Sequence, residues 1–309
     1  MNRNNQKLTV KLPRKILCSR EKQQTSSARY VVARKRSYKR TDFRPNRYRL
    51  RLIFPNFLLT TTIFLSCLNN FLSLLFFTKI QYNILTYLKV KNYMPNSLND
   101  IKIYHIIHID RFRSVLSKKY LYCDSIMSQK TNSGSIIGLN NIKQRRLETS
   151  LSSFPDLTVG QCVPFYFCPR SVMLYVISLK NYPGLQYNDG QDNIIHLVYN
   201  LIDVLTWANN NNLRTCYTTS NAGSLYFNDY SNFSQILTKI DWNSVYTNKW
   251  DNKEIKEKKQ SEFLIENRIS ISLLKNVGVY NNQVYDEAIR LLKNYNISSV
   301  VEQRKDWYY

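Results

Sequence analysis

The chain has 309 residues and a formal net charge of +23, from 44 Lys and Arg against 21 Asp and Glu. Residues 1–51 hold 17 basic and 2 acidic side chains, whereas residues 94–309 hold 24 and 19, so the charge argues for a nucleic-acid or anionic-membrane partner mainly through the N-terminal segment. Six cysteines with no CxxC pair exclude a zinc-finger spacing and a secreted disulfide framework, and read as reduced, mostly buried thiols of a cytoplasmic protein.

Residues 1–51 are rich in Arg, Ser, Asn and Gln and carry no apolar periodicity. Residues 52–78 contain no charge over 27 positions, long enough to span a bilayer with the basic end in the cytoplasm. Asn56, Asn69, Asn70 and the Thr60–Thr62 triplet blunt that signal, and the long basic stretch before it does not fit a cleaved signal peptide. The favoured reading makes 1–93 an appended leader, or the product of a mis-assigned upstream start, ahead of a domain opening at Met94. A membrane anchor through 52–78 is the alternative.

Residues 94–309 read as one α+β domain. IKIYHIIHI (101–109) predicts a first strand, and DRFRSVLSKKYL predicts a helix with Phe112, Val115 and Leu116 on one face. Further strands are expected at VPFYF (163–167), MLYVISL (173–179), IIHLVYNL (194–201) and EFLIE (262–266). YDEAIRLLKNY (285–295) predicts an amphipathic helix, and the Asn-rich run 209–212 a loop.

Several side chains qualify for chemistry. His105 and His108 sit three apart, a metal pair on a helix, but the β-branched run around them predicts a strand that points the rings apart. No metal site is expected, and the strand histidines are read as bonding a ligand or a core carbonyl. Arg170, between two apolar runs, needs an anionic partner, and its fork suits a phosphate. The rings beside it, Tyr166 among them, could stack on a base. Arg145 and Arg146 in KQRR read by default as a solvated basic loop. Glu262 and Glu266 in KQSEFLIE share a strand face with Leu264, by default a wet face. A single glutamate does qualify for chemistry where a glycosidic bond breaks through a cationic transition state.

Five segments, YHIIHIDRF, KQRR, VPFYFCPRSVMLY, IDW (240–242) and KKQSEFLIE, stand in an order and spacing that resembles the DarT family of DNA ADP-ribosyltransferase toxins. The resemblance covers about 103–280. It implies an ADP-ribosyltransferase-like fold, two small antiparallel sheets around an NAD cleft, with NAD as substrate and no metal. It also implies transfer of ADP-ribose to a base, thymine foremost, in single-stranded DNA, and a macrodomain antitoxin, DarG, as partner. By the same resemblance His105 contacts NAD, Arg145 (preferred over Arg146) is the catalytic arginine and touches NAD, and Glu262 is the catalytic glutamate. Arg170 would meet the NAD phosphates or DNA, and the basic loop 249–259, with Lys258 and Lys259, would meet DNA. The chain departs from the family pattern at Asp110–Phe112, at Tyr120, at Val172, and at Thr218–Ala222, which lacks the usual acid. Two alternatives stand beside this reading: an RNA 2′-phosphotransferase-like enzyme of the same fold, and a non-catalytic membrane-tethered binder of single-stranded DNA.

Overall fold

A computed structural model describes residues 78, 79, 81, 94–129 and 134–309; the leader reading, and all of 52–78 except Thr78, lie outside the described residues. β-Branched residues on both faces of KIYHIIH produce β1 (Lys102–His108), which is buried on both sides. His108 closes it and caps the next helix, its Nδ1 accepting from Asp110 N at 3.3 Å. That helix, α1 (Ile109–Lys118), buries Phe112, Val115 and Leu116 and ends where Lys119 adopts φ 58°. The elements β2 (Tyr120–Tyr122), α2 (Asp124–Met127) and α3 (Asn140–Glu148) follow, then β3 (Cys162–Tyr166), α4 (Val172–Ser178), β4 (Ile194–Asn200) and α5 (Leu201–Asn210). The remainder comprises β5 (Thr215–Thr218), β6 (Asp229–Tyr230), α6 (Ile236–Lys239), α7 (Trp242–Tyr246), α8 (Lys253–Lys258), β7 (Glu262–Glu266), β8 (Arg268–Ser270), β9 (Asn276–Val279), α9 (Asn282–Asn294) and β10 (Val300–Gln303).

Eight strands form one mixed sheet in the order β10-β9-β4-β1-β3-β7-β5-β6, and β2 pairs β8 in a second, two-stranded sheet. This corrects the expectation of two small antiparallel sheets. The reason is local. β1 pairs β4 along its whole length, but its register with β3 is Tyr104↔Tyr166, at the end of β3. Two four-stranded halves therefore meet at a seam and splay apart beside it. Among the described strands only β9 and β10 run parallel, with α9 as the crossover that a parallel pair requires.

Both faces of the sheet are covered. On one, Ile103, Ile107, Leu197, Phe263 and Ile265 pack with α1, α5 and the Val284, Ala288, Leu291 and Leu292 stripe of α9. On the other, Tyr104, Ile106 and Val198 meet α4, Trp307 and Tyr308. Gly278 is required in β9 because a Cβ there would sit 2.4 Å from the Trp307 ring. His196, fully buried, donates from Nε2 to Pro169 O at 2.9 Å, the core-carbonyl role expected of a strand histidine.

Two further expectations change. MLYVISL is not a strand but most of α4: Ser171 caps it, accepting from Leu174 N at 3.2 Å, and Leu174, Val176 and Ile177 enter the core. The Asn run starts inside α5, which continues to Asn210. Among the described residues no helix is long and apolar enough to cross a membrane.

Candidate active site

The splay between β1 and β3 opens a cavity of about 190 Å³. His105, Ile106 and Ile107 line one side, Pro164 and Tyr166 the other, and α1, β2, α2 and α3 close it with Arg111, Tyr122, Asp124, Lys143 and Arg146 among others. The seam is bridged by a side chain. His105 Nδ1 lies 2.7 Å from Pro164 O, and because a carbonyl can only accept, Nδ1 carries the proton. Burial pushes the imidazole pKa down to about 4 against the opposing effect of that hydrogen bond. At neutral pH the ring is therefore uncharged and its Nε2 is an acceptor.

Glu262 opens β7 directly after α8, and its residue is 3% exposed. Arg146 Nη1 donates to Oε1 at 3.0 Å and Nη2 to Oε2 at 2.9 Å, a parallel two-point clamp. Ala222 N adds a third bond to Oε1 at 3.2 Å, and the Glu262 backbone N–H is held by Thr218 Oγ1 at 3.1 Å. Burial alone would lower the Arg146 pKa, but the Glu262 carboxylate outweighs it and raises the value. Tyr166 stands opposite Glu262 in the β3–β7 register, and burial, then the Glu262 charge, raises its phenol pKa.

The two glutamates of KQSEFLIE are thus separated. Glu266 is gripped by Arg214, whose Nε and Nη2 donate at 2.9 Å each, while Arg214 Nη1 reaches Asp156 at 2.6 Å. That network ties β7 to the β5 edge and lies off the cavity lining.

The remaining expected residues are placed as follows. Arg145, half-buried, donates to Gly223 O at 2.7 Å; it is Arg146, not Arg145, that reaches Glu262. Arg170 is outside the cavity lining and sets its guanidinium 4.3 Å from the Tyr309 ring centre, with its Nε buried and unbonded. Segment 249–259 is not all loop: Asn252 caps α8. Lys258 lies on its surface, paired with Glu254 at 2.7 Å and Asp241 at 3.5 Å. Lys259 is 2% exposed, its ammonium donating to Val245 O at 2.8 Å and Thr247 O at 2.9 Å, so it faces the interior rather than an outside ligand.

Sequence reasoning did not single out Arg111, Lys143 or Asp124 as cavity residues. For the arginine pair a signal existed: Ile142 and Arg146, spaced i,i+4, share a helix face, and both line the cavity. Among the described residues no group of three or more His, Cys, Asp or Glu could hold a metal ion.

A carboxylate clamped by a guanidinium beside a cleft in a splayed sheet suits an enzyme that cleaves a glycosidic bond through a cationic transition state. Comparison with known proteins agrees. The family model described as "ssDNA thymidine ADP-ribosyltransferase, DarT" matches residues 104–309. A DNA ADP-ribosyl transferase of Thermus sp. (strain 2.9) is 33% identical over 211 residues, 67% of this chain and 95% of that one. Another, of Thermus aquaticus, is 27% identical over 209 residues, 67% and 88% of the two chains. The structure of Thermus sp. 2.9 DarT in complex with ADP-ribosylated ssDNA superposes with a TM-score of 0.61 at 30% identity, covering 68% of this chain and 96% of that one. Its complex with NAD+ gives 0.56 at 27% identity, covering 68% and 98%. The chain belongs to the DarT family of NAD-dependent DNA ADP-ribosyltransferases.

Proposed function

We propose that the chain moves the ADP-ribosyl group of NAD onto a thymine base of single-stranded DNA. We further propose that it does so in the cytoplasm, as the toxin of a pair whose antitoxin is a macrodomain protein that removes the mark. The observation that carries the reading is the buried Arg146–Glu262 clamp beside the cavity. An ionised carboxylate offers about four acceptor positions. Arg146 and Ala222 occupy two on Oε1 and one on Oε2, so Oε2 keeps one for the 2′-hydroxyl of the nicotinamide ribose. With that hydroxyl held, the Glu262 charge stabilises C1′ as the bond to nicotinamide breaks.

His105 Nε2, uncharged, accepts from a ribose hydroxyl, and the cationic lining of Arg111, Lys118 and Lys143 suits the pyrophosphate. A ring nitrogen of the base attacks C1′ and its proton leaves to solvent. Arg146, rather than the Arg145 that the family resemblance implies, acts on the base. Two of its five N–H groups hold Glu262, and the rest are free to polarise the base carbonyl as charge builds on the ring. Its pKa excludes it as a proton acceptor. Tyr166 stays with the cavity, whereas Arg170 and Lys258, outside it, belong with DNA. A single strand is needed because pairing occupies the reacting edge of the base.

The test uses the full chain, NAD labelled in its adenosine half, and single-stranded oligonucleotides of each base. Label on thymidine-containing strands, lost in Glu262→Gln, is the expected result. Label on another base corrects the target; label on RNA alone, or binding without transfer, overturns the reading.

A further inference from the structure

The second histidine of YHIIH lies off the cavity lining, at the base of a chain of contacts that ends on the cavity wall. His108 Nδ1 is 3.0 Å from Asp110 Oδ1. The other oxygen of that carboxylate, Oδ2, accepts from Ser135 twice, from Oγ at 2.7 Å and from the backbone N–H at 3.0 Å. Gly134 permits this close approach: it holds φ 84°, and a Cβ there would lie 2.9 Å from both Asp110 Oδ1 and Arg111 Cγ. Two residues past Ser135 the chain becomes the wall, with Ile137, Gly138 and Leu139 lining the cavity. Residues 134–138 belong to no helix or strand, so no ladder of backbone bonds fixes them. Ile137 is buried in one cluster with Tyr187, whose ring meets that of His108 edge-on at 5.5 Å, and this closes the circuit.

We propose that Asp110 is a positioning residue for NAD, latching Ser135 so that the Ile137–Leu139 wall stands in place before the dinucleotide arrives. The role rests on the reading of the cavity as the NAD site. Asp110 is itself off the cavity lining, so it acts through the wall and not on the reacting atoms. A wall in place only part of the time weakens binding in proportion to that fraction, whereas saturating NAD fills the cavity and restores the wall. The effect therefore falls on KM and not on kcat. Hydrogen bonding, not charge, does the holding. The Asp110 side chain is 40% exposed, so its charge is screened, and both Ser135 donors meet a single oxygen. An asparagine oxygen can accept both, while its Nδ2 donates to His108 Nδ1, the atom that already accepts from Asp110 N.

The experiment uses the full chain and measures the Kd for NAD by calorimetry, then kcat and KM for NAD in label transfer to a thymidine-containing single strand. Asp110→Ala is expected to raise Kd and KM for NAD about tenfold, as for a wall in place about a tenth of the time, with kcat and the KM for the strand within about twofold of wild type. Ser135→Ala keeps the N–H donor and is expected to raise Kd and KM for NAD about threefold. Asp110→Asn is expected to restore the wild-type values. Unchanged NAD affinity in Asp110→Ala, with transfer intact in the wild type, overturns the proposal and leaves the transferase reading standing. Asp110→Asn as weak as Asp110→Ala assigns the effect to charge and overturns the latch, as does a fall in kcat with the KM for NAD unchanged. If Asp110→Ala does not fold, Ser135→Ala, at a partly exposed site, decides the question. If the wild type binds NAD but transfers no label, the transferase reading falls and calorimetry still decides the latch. A wild type that binds no NAD overturns both.

Discussion

Arg146 and Glu262 lie 116 residues apart in sequence and meet through two parallel hydrogen bonds of 3.0 and 2.9 Å in a nearly solvent-free position. In such a pair each charge answers the desolvation of the other, so removing one partner is far costlier than removing both.

Arg146→Met is expected to lower the unfolding free energy by about 3–5 kcal/mol, the cost of stranding a buried charge. Arg145→Met forfeits one hydrogen bond to Gly223 O and should cost about 1 kcal/mol. The double variant Arg146→Met/Glu262→Leu should recover much of the lost stability yet transfer no ADP-ribose. Urea unfolding with a label-transfer assay checks all three. A smaller loss in Arg146→Met than in Arg145→Met would contradict the burial argument.

The histidines set an acid limit. His105 and His196 are both pushed by burial from 6.5 down to about 4. Between those values the unfolded chain binds protons that the folded chain does not, so stability is expected to fall as pH drops from about 6.5 toward 4. His196→Gln should make that decline shallower. For NAD binding the same shift predicts a flat Kd from pH 8 to 5, with weakening only near pH 4. An inflection at pH 6.5, read by calorimetric titration, would show that His105 titrates as an ordinary imidazole.

Arg214 makes a different contribution. Its hydrogen bonds hold the Glu266 carboxyl below the ordinary 4.5. A lowered carboxylate pKa stabilises the fold above the unfolded value, and the gain disappears as pH falls through the folded value. Arg214→Ala should therefore be less stable than wild type at pH 7, by about 1–2 kcal/mol for a partly exposed site. The gap should close below about pH 4, with transfer activity at pH 7 retained.

For the lysine pair the order of effects is opposite to what surface charge alone implies. Lys259→Met keeps the bulk but leaves the carbonyls of Val245 and Thr247 without their donor, a loss of about 1–3 kcal/mol. Lys258→Ala removes exposed pairs and should change stability by less than about 1 kcal/mol, while raising the KM for the DNA strand. Thermal melting and transfer kinetics separate the two.

What could be read from the sequence follows the range of the interactions. Alternation and β-branching marked β1, β3, β4 and β7, and the 3.6-residue stripe marked α1 and α9, because these patterns are written within ten residues. MLYVISL deceived because a short, largely apolar run fits a buried strand or a buried helix equally; the Ser171 cap was the cue that decided it. Arg146 over Arg145, the inward turn of Lys259 and the seam in the sheet all depend on partners far along the chain, which no local window records. The family resemblance pointed to Glu262 rather than Glu266, whereas the contacts that distinguish the two glutamates lie far along the chain.

The seam at Tyr104↔Tyr166 has a consequence for how the protein keeps its shape. Two half-sheets that share one point of registry rely on other cross-links, and the cavity has His105 on one bank with Pro164 and Tyr166 on the other. If NAD occupies this cavity as proposed, it acts as mortar between the halves, and part of its binding energy becomes cohesion of the enzyme itself. Amide hydrogen exchange should record this: on addition of NAD, protection is expected to rise along β1 and β3 together, on both banks.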